Sequence, residues 1–390
     1  MQNFTFHNTT KIIFGQDTIG QLGQEAKPYG RKALFIYGQG AIKRNGVYDQ
    51  AVASLKAAGI EIVEFPGVRA NPVLSHTRDG IALAKSQNID LVVAVGGGSV
   101  IDEAKAVCAG ACTDTDVWQF YTRESAPAKA LPLIAVVTVA ATGSEMNGGT
   151  VITNEETKEK YGCGYPLLAP KVSILDPTTT FTVGPEYTAY AAVDAATHLL
   201  ESYFTSTDPN TLLQDRYVEG IVRTIMDVTE TMLKSPDNYA ARATFMWAAT
   251  LAWNSIAPCG VGPWSTPNHL IGHSMSALFD TPHGASLSIS LSGWLPWYAE
   301  QSEANARKLE QFGKEVIGFT WRDTQRAVEE TISSLRAWFR RIKSPTRLAG
   351  INVDDAGLVQ VAENVEMCNV HWGLPDYTKD RVIRILKKCI

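Results

Sequence analysis

Asp90-Leu91-Val92-Val93-Ala94-Val95-Gly96-Gly97-Gly98-Ser99-Val100-Ile101-Asp102 is the stretch whose reading decides the fold. Residues 90–95 are almost wholly apolar, as expected of a parallel strand covered on both faces. Three glycines then stand where a strand gives way to a helix. Without side chains they let the backbone come close to an anion, and the free N–H groups at the start of the helix can hold phosphate. The spacing is not G-x-G-x-x-G, because Ile101 occupies the place of the third glycine. The stretch therefore reads as a strand-to-helix turn of a parallel sheet, fit either to cradle phosphate or simply to turn the chain tightly.

Upstream, residues 11–14, 32–37 and 60–65 are further β-branched or apolar runs, and residues 47–58 and 74–87 carry helical spacing. Downstream, residues 133–137 and 172–175 supply two more strands. Strands alternating with helices imply crossover connections and a mostly parallel sheet. From about Gly184 the pattern changes to long helical segments broken by Ser235-Pro236-Asp237, Ala257-Pro258 and Thr281-Pro282. A chain of 390 residues exceeds what one core usually serves. The expected organisation is an α/β dinucleotide-binding domain over residues 1–183 and an all-helical domain over residues 184–390.

A second glycine turn, Gly38-Gln39-Gly40-Ala41, follows the strand at residues 32–37. A carboxylate commonly accepts from the adenosine ribose at this place. Residues 37–41 hold none, and Lys43 and Arg44 follow closely, which favours NADP(H) over NAD(H). Residues 138–145, dense in small hydroxyl residues after a strand, form another candidate cofactor segment. Lys160 is placed in a charged loop.

The helical half holds the decisive chemistry. Asp194 and His198 stand at i and i+4, and so do His269 and His273; His283 follows in the Thr281-Pro282-His283-Gly284 turn. Residues spaced i, i+4 share one helix face. Each lies in small, apolar company where a charge is costly to bury without a partner. One carboxylate and several imidazoles, with no thiolate, suit Fe²⁺ or Zn²⁺. Five candidates compete for about four ligand places, and spacing does not rank His269 against His273.

Composition narrows the field further. A net charge of −5 gives no reason to expect nucleic acid. No apolar run approaches the roughly 18–20 residues of a membrane helix, and the first residues do not read as a secretory signal. The six cysteines form no C-x-x-C pair or disulfide framework, and Cys108 and Cys112 read as small core residues of a helix. A cytoplasmic protein is expected.

GGGSVID at 96–102, ATGSEMNGG at 141–149, VDAATHLLESYF at 193–204 and HLIGHSMSALFDTPHG at 269–284 together resemble the iron-containing (group III) alcohol dehydrogenases. The likeness is nearest to the NADPH-dependent butanol dehydrogenase and aldehyde reductase branch. KIIFG at 11–15, IKRNGVYD at 42–49 and ARATFMWAAT at 241–250 extend it, and it fades toward the C-terminus. The resemblance implies the dehydroquinate synthase-like architecture: the two domains above, with a divalent metal in the cleft between them, commonly as a homodimer. It implies Asp194, His198, His269 and His283 as metal ligands, leaving His273 near the nicotinamide as a candidate proton relay. It implies cofactor contacts from Gly38, Gly40, Asn71, Gly97, Gly98, Ser99, Asp102, Thr138, Thr142, Asn147 and Lys160. The expected reaction is hydride transfer between NADP(H) and a small primary alcohol or aldehyde. An NAD-dependent polyol dehydrogenase is the alternative, and phosphate elimination of the dehydroquinate synthase kind fits the apolar residues near the ligands less well.

Overall fold

The computed structural model describes residues 1–389. Six strands form one sheet in the order β1-β8-β5-β4-β2-β3: β1 (Lys11–Phe14), β2 (Lys32–Gly38), β3 (Glu61–Val68), β4 (Leu91–Gly97), β5 (Leu133–Val139) and β8 (Val172–Leu175). Every pairing is parallel. β4 lies centrally, and its residues Leu91 to Val95 have no exposed surface, which explains why that run is apolar without alternation. β2 and β4 are neighbours, with β3 beyond one and β5 and β8 beyond the other. The strand order therefore reverses between β2 and β4. In open parallel sheets, ligands bind beyond the carboxyl ends of the strands at such a reversal.

One element was not anticipated. β6 (Gly149–Asn154) and β7 (Glu159–Gly164) pair antiparallel as a hairpin outside the main sheet. Lys160, expected in a charged loop, lies in β7 and is buried. The charged turn hides the hairpin from a sequence reading. Asn154 Oδ1 accepts from the N–H groups of Glu156 and Thr157, and Lys158 takes a left-handed φ of 60°. Cys112, expected in the core, is exposed, because its helix (Gly98–Gly110) ends two residues earlier.

Two compact units divide the described chain. One comprises residues 7–183 and 236–254; the other comprises 1–6, 184–235 and 255–390. A single division at 183/184 does not describe this partition, because the helix Tyr239–Ala252 belongs with the sheet. It packs on the turns Ser144–Met146 and Pro177–Thr180, and its Thr250 hydroxyl donates to the buried Glu145 carboxylate. The second unit is otherwise helical, including Pro185–Thr205, Leu212–Lys234, Pro267–Phe279, His283–Gln301 and Thr324–Arg341. Among the described residues, no helix is long and apolar enough to cross a membrane.

A buried cation ties the helix Gly98–Gly110 to the segment that follows β5. Lys105 has no exposed surface; its ammonium donates to Ser144 Oγ (2.7 Å), Asn147 Oδ1 (3.2 Å) and the Gly149 carbonyl (2.6 Å). Burial lowers its pKa to about 8, against the opposing pull of Asp102 and Glu145. Removing one member of a buried charged network costs about 3 kcal/mol or more, because the acceptors stay behind. Lys105→Ala should therefore lower the thermal unfolding midpoint by several degrees; an unchanged midpoint would refute the role given to this residue.

Candidate metal centre

The helix Pro185–Thr205 is rich in alanine, the best helix former, and starts with Pro185 at its first position. Asp194, His198 and Glu201 lie along one face at i, i+4 and i+7, all buried. His269 comes from the helix Pro267–Phe279 and His283 begins the helix His283–Gln301. The structure brings these side chains together. Asp194 Oδ1 stands 3.7 Å from His198 Nε2 and 3.4 Å from His283 Nε2. One ligand atom each from Asp194, His198 and His269 falls within 4.8 Å of the others. The His198 and His269 rings stack with centroids 4.8 Å apart.

This spacing suits an ion. Ligand atoms roughly 2.0–2.2 Å from a tetrahedral centre lie about 3.4 Å from one another. The donor set, one carboxylate with imidazoles and no thiolate, matches Fe²⁺ or Zn²⁺. Burial, with His269 adjacent, holds the His198 imidazole well below its ordinary range, so a lone pair is available at neutral pH. Glu201 takes the other side of His269. Its Oε1 lies 3.0 Å from His269 Nδ1, so Nε2 is the nitrogen left to the cluster.

A glycine lets the third helix reach the first. A Cβ at Gly284 would overlap the backbone carbonyl of Tyr190, one turn before Asp194. Backbone cannot move aside as a side chain can, so only glycine allows this approach, which delivers His283 to the carboxylate.

The other unit gathers the glycine turns at the carboxyl ends of β2, β4 and β5. A Cβ at Gly98 would collide with Thr142, which packs the helix start against the segment after β5. The Ser99 hydroxyl donates to the Ala70 carbonyl, and Lys160 Nζ donates to Asn71 Oδ1 at 2.9 Å. The Asn71 turn is further held to β6, since Thr153 N–H donates to the Pro72 carbonyl. Gly38 ends β2 beside Val68 and Val100, and Gly40 takes φ 98° before a short helical turn.

Comparisons with known proteins give the family. The model of the iron-containing alcohol dehydrogenase family matches residues 9–177, and that of the Fe-containing alcohol dehydrogenase family C-terminal region matches residues 188–390. The chain belongs to the iron-containing alcohol dehydrogenases. It is 43% identical over 391 residues to "Probable NADH-dependent butanol dehydrogenase 1" of Bacillus subtilis, covering 99% of each chain. It is 33% identical over 369 residues to the NADPH-dependent aldehyde reductase YqhD of Escherichia coli, covering 94% of this chain and 93% of that one. The crystal structure of NADH-dependent butanol dehydrogenase A from Thermotoga maritima superposes with a TM-score of 0.95 at 41% identity, over 100% of this chain and 99% of that one.

In this iron-containing alcohol dehydrogenase the remaining expected site residues stand as follows. Asp102 accepts from Ser144 Oγ (2.6 Å) and Val151 N–H (3.0 Å), so both its oxygens are engaged within the protein. Asn147 is buried, with its amide donating to the carbonyls of Gly143 and Trp253. Thr138 is buried near the end of β5, and Gly97 ends β4 against Val139. His273 lies beside the cluster, its ring centroid 5.0 Å from His283 and 4.8 Å from Trp372.

Three residues escaped the sequence reading. Glu201 continues the i, i+4 series from Asp194 and His198 by one more turn, so its signal was present. Trp372 carries no local signal, although the family model extends through it. Glu64, far from Gly38 in sequence, accepts from the Tyr37 hydroxyl (2.6 Å) and the Tyr48 hydroxyl and lies 3.5 Å from Lys43 Nζ.

Gly284→Ala tests the close approach of the two helices. Overpacking of this kind costs about 1–3 kcal/mol, and displacement of His283 should weaken metal binding about tenfold or more. Thermal unfolding and metal content by mass spectrometry check both; wild-type values for the two would refute the steric argument.

Proposed function

We propose that this enzyme transfers hydride between a nicotinamide dinucleotide and a small primary alcohol or its aldehyde, of the size of butanol and butyraldehyde. The observation that carries this reading is the convergence of Asp194, His198, His269 and His283 from three helices. We propose these four as ligands of one divalent ion, Fe²⁺ or Zn²⁺. Such an ion, when bound, supplies Lewis acidity against negative charge on the substrate oxygen.

The chain's own residues do the rest. Asp194 offsets one of the two positive charges, and the burial of His198 keeps it neutral and able to bind. His273, packed edge to face on Trp372, exchanges the proton of the alcohol hydroxyl. Gly97, Gly98 and Ser99 open the helix whose N–H groups hold the pyrophosphate. Gly38 and Gly40 receive the adenosine end, and Asn71, Thr138, Thr142, Asn147 and Lys160 line the dinucleotide site. Asp102 contributes by fixing the segment that carries Ser144 and Val151. The protein is read as a cytoplasmic homodimer, as the family resemblance implies.

Each choice of dinucleotide has its own supporting observation. NADP(H) is favoured by the uncharged residues 37–41 and by Lys43 and Arg44 behind them. NAD(H) is favoured by Glu64, whose carboxylate stands beside Lys43 and offsets its charge.

Absorbance at 340 nm is the direct assay. Oxidation of NADPH or NADH by butyraldehyde is expected, falling to near background after chelation and returning with Fe²⁺ or Zn²⁺. The ratio of kcat/KM for the two dinucleotides decides between the cofactors. Turnover of glycerol with NAD in place of butyraldehyde reduction would overturn the substrate reading in favour of a polyol dehydrogenase. His273→Ala should keep its metal and lose about 10²–10⁴-fold in kcat, whereas Asp194→Ala should lose the metal. Normal turnover by His273→Ala would remove the proton-exchange role.

A further inference from the structure

Glu201 is fully enclosed beside the ligand cluster, and its oxygens are used on one partner segment. Oε1 accepts from the backbone N–H of His269 at 2.9 Å and lies 3.0 Å from the ring Nδ1 of the same residue, where the tautomer decides which atom carries the proton. Oε2 accepts from Asn268 Nδ2 at 3.3 Å, and Asn268 Oδ1 in turn accepts from the Ser290 hydroxyl at 2.9 Å. These residues sit on the helices Pro185–Thr205, Pro267–Phe279 and His283–Gln301, the same three that carry Asp194 and His198, His269, and His283. The network thus cross-ties the three helices whose side chains converge.

An imidazole has two nitrogens and, when neutral, one proton between them. The nitrogen with the proton cannot bind a metal, so the partner of one nitrogen decides whether the other is available. A carboxylate oxygen that already accepts a backbone N–H presents an acceptor to Nδ1, and an acceptor there selects the form with the proton on Nδ1. The lone pair then sits on Nε2, facing the cluster. The backbone hydrogen bond also fixes the rotation of the helix start, and so the direction in which the ring leaves the helix.

We propose that Glu201 is a positioning residue for His269, selecting its metal-binding tautomer and orientation. The proposal rests on the reading of Asp194, His198, His269 and His283 as metal ligands. The competing role is that of a cap: Glu201 also serves as an acceptor for the first turn of the helix Pro267–Phe279, whose N-cap Thr266 makes no side-chain cap bond. A cap supports the fold with or without metal and has no dependence on the ring of His269.

The experiment separates these roles. Zn²⁺ affinity of the whole chain is measured by competition with a chromogenic chelator for the wild type, Glu201→Gln, Glu201→Ala, His269→Ala and the Glu201→Gln/His269→Ala double variant, with apo-protein unfolding midpoints alongside. Loss of a group that orients a ligand costs about 10–100-fold in metal affinity. Glu201→Gln and Glu201→Ala should weaken Zn²⁺ binding in that range. Glu201→Gln should add no further weakening once His269 is alanine, because a residue acting through another is silent in its absence. Binding by Glu201→Gln within twofold of wild type would overturn the proposal, as would an undiminished effect in the His269→Ala background. A measurement on the unsubstituted apo protein covers the case of variants that fail to fold. Long-range ¹H–¹⁵N spectra should show the His269 proton on Nδ1, and a proton on Nε2 would overturn the inference. A wild-type chain that binds no Zn²⁺ defeats the metal reading itself and this inference with it; tight wild-type binding with indifferent Glu201 variants defeats the inference alone.

Discussion

A carboxylate buried among imidazoles is the constraint from which the helical unit follows. Asp194 is 3% exposed, and an isolated charge so placed would be driven to neutralise. Its Oδ1 stands 3.4 Å from Nε2 of the half-buried His283 and 3.7 Å from Nε2 of the buried His198. One carboxylate and several imidazoles gathered in this way have the chemistry of a divalent-ion site. The surrounding sequence serves it. Alanines keep the helix Pro185–Thr205 slim, Gly284 removes the side chain that would hold the third helix away, and Glu201 occupies the nitrogen of His269 that the cluster does not use.

The sheet unit meets a different demand with the same means. Its interior is an apolar parallel sheet, and its chemistry sits on the turns beyond the strand ends, where backbone comes close to backbone. Gly98 against Thr142 is one such approach. Behind it lies a second polar core built on Lys105, Asp102, Ser144 and Asn147, where every polar atom named is bonded to another part of the protein. A half-satisfied network would be worse than none. Here the satisfied one holds the segment after β5 to the helix Gly98–Gly110.

Much of this could be read from residue order alone. The strand at residues 90–95 and the glycines after it announce themselves because period and composition are local properties. The i, i+4 pairs of Asp194 with His198 and His269 with His273 do so for the same reason. What could not be read is what folding brings together across distance. Glu64 is 26 residues beyond Gly38, and nothing in its surroundings marks it as a neighbour of Lys43. The hairpin of β6 and β7 was masked by its own charged turn, so Lys160 seemed solvated when it is enclosed. The helix Tyr239–Ala252 has the periodicity of its neighbours in sequence and gives no sign that its companions are Glu145 and the turn after β8.

That helix has a consequence for how the chain is made. Synthesis proceeds from the N-terminus, and domains tend to fold as they emerge. The sheet unit here is not complete when residue 183 leaves the ribosome, because residues 236–254 are still to come. Until they arrive, Trp247 is missing from Phe14 and Thr250 from Glu145. Residues 1–6 wait longer still, since their own unit also includes residues 184–235 and those from 255 onward. A ribosome that has passed residue 183 but not residue 254 therefore carries a sheet unit still short of its last helix.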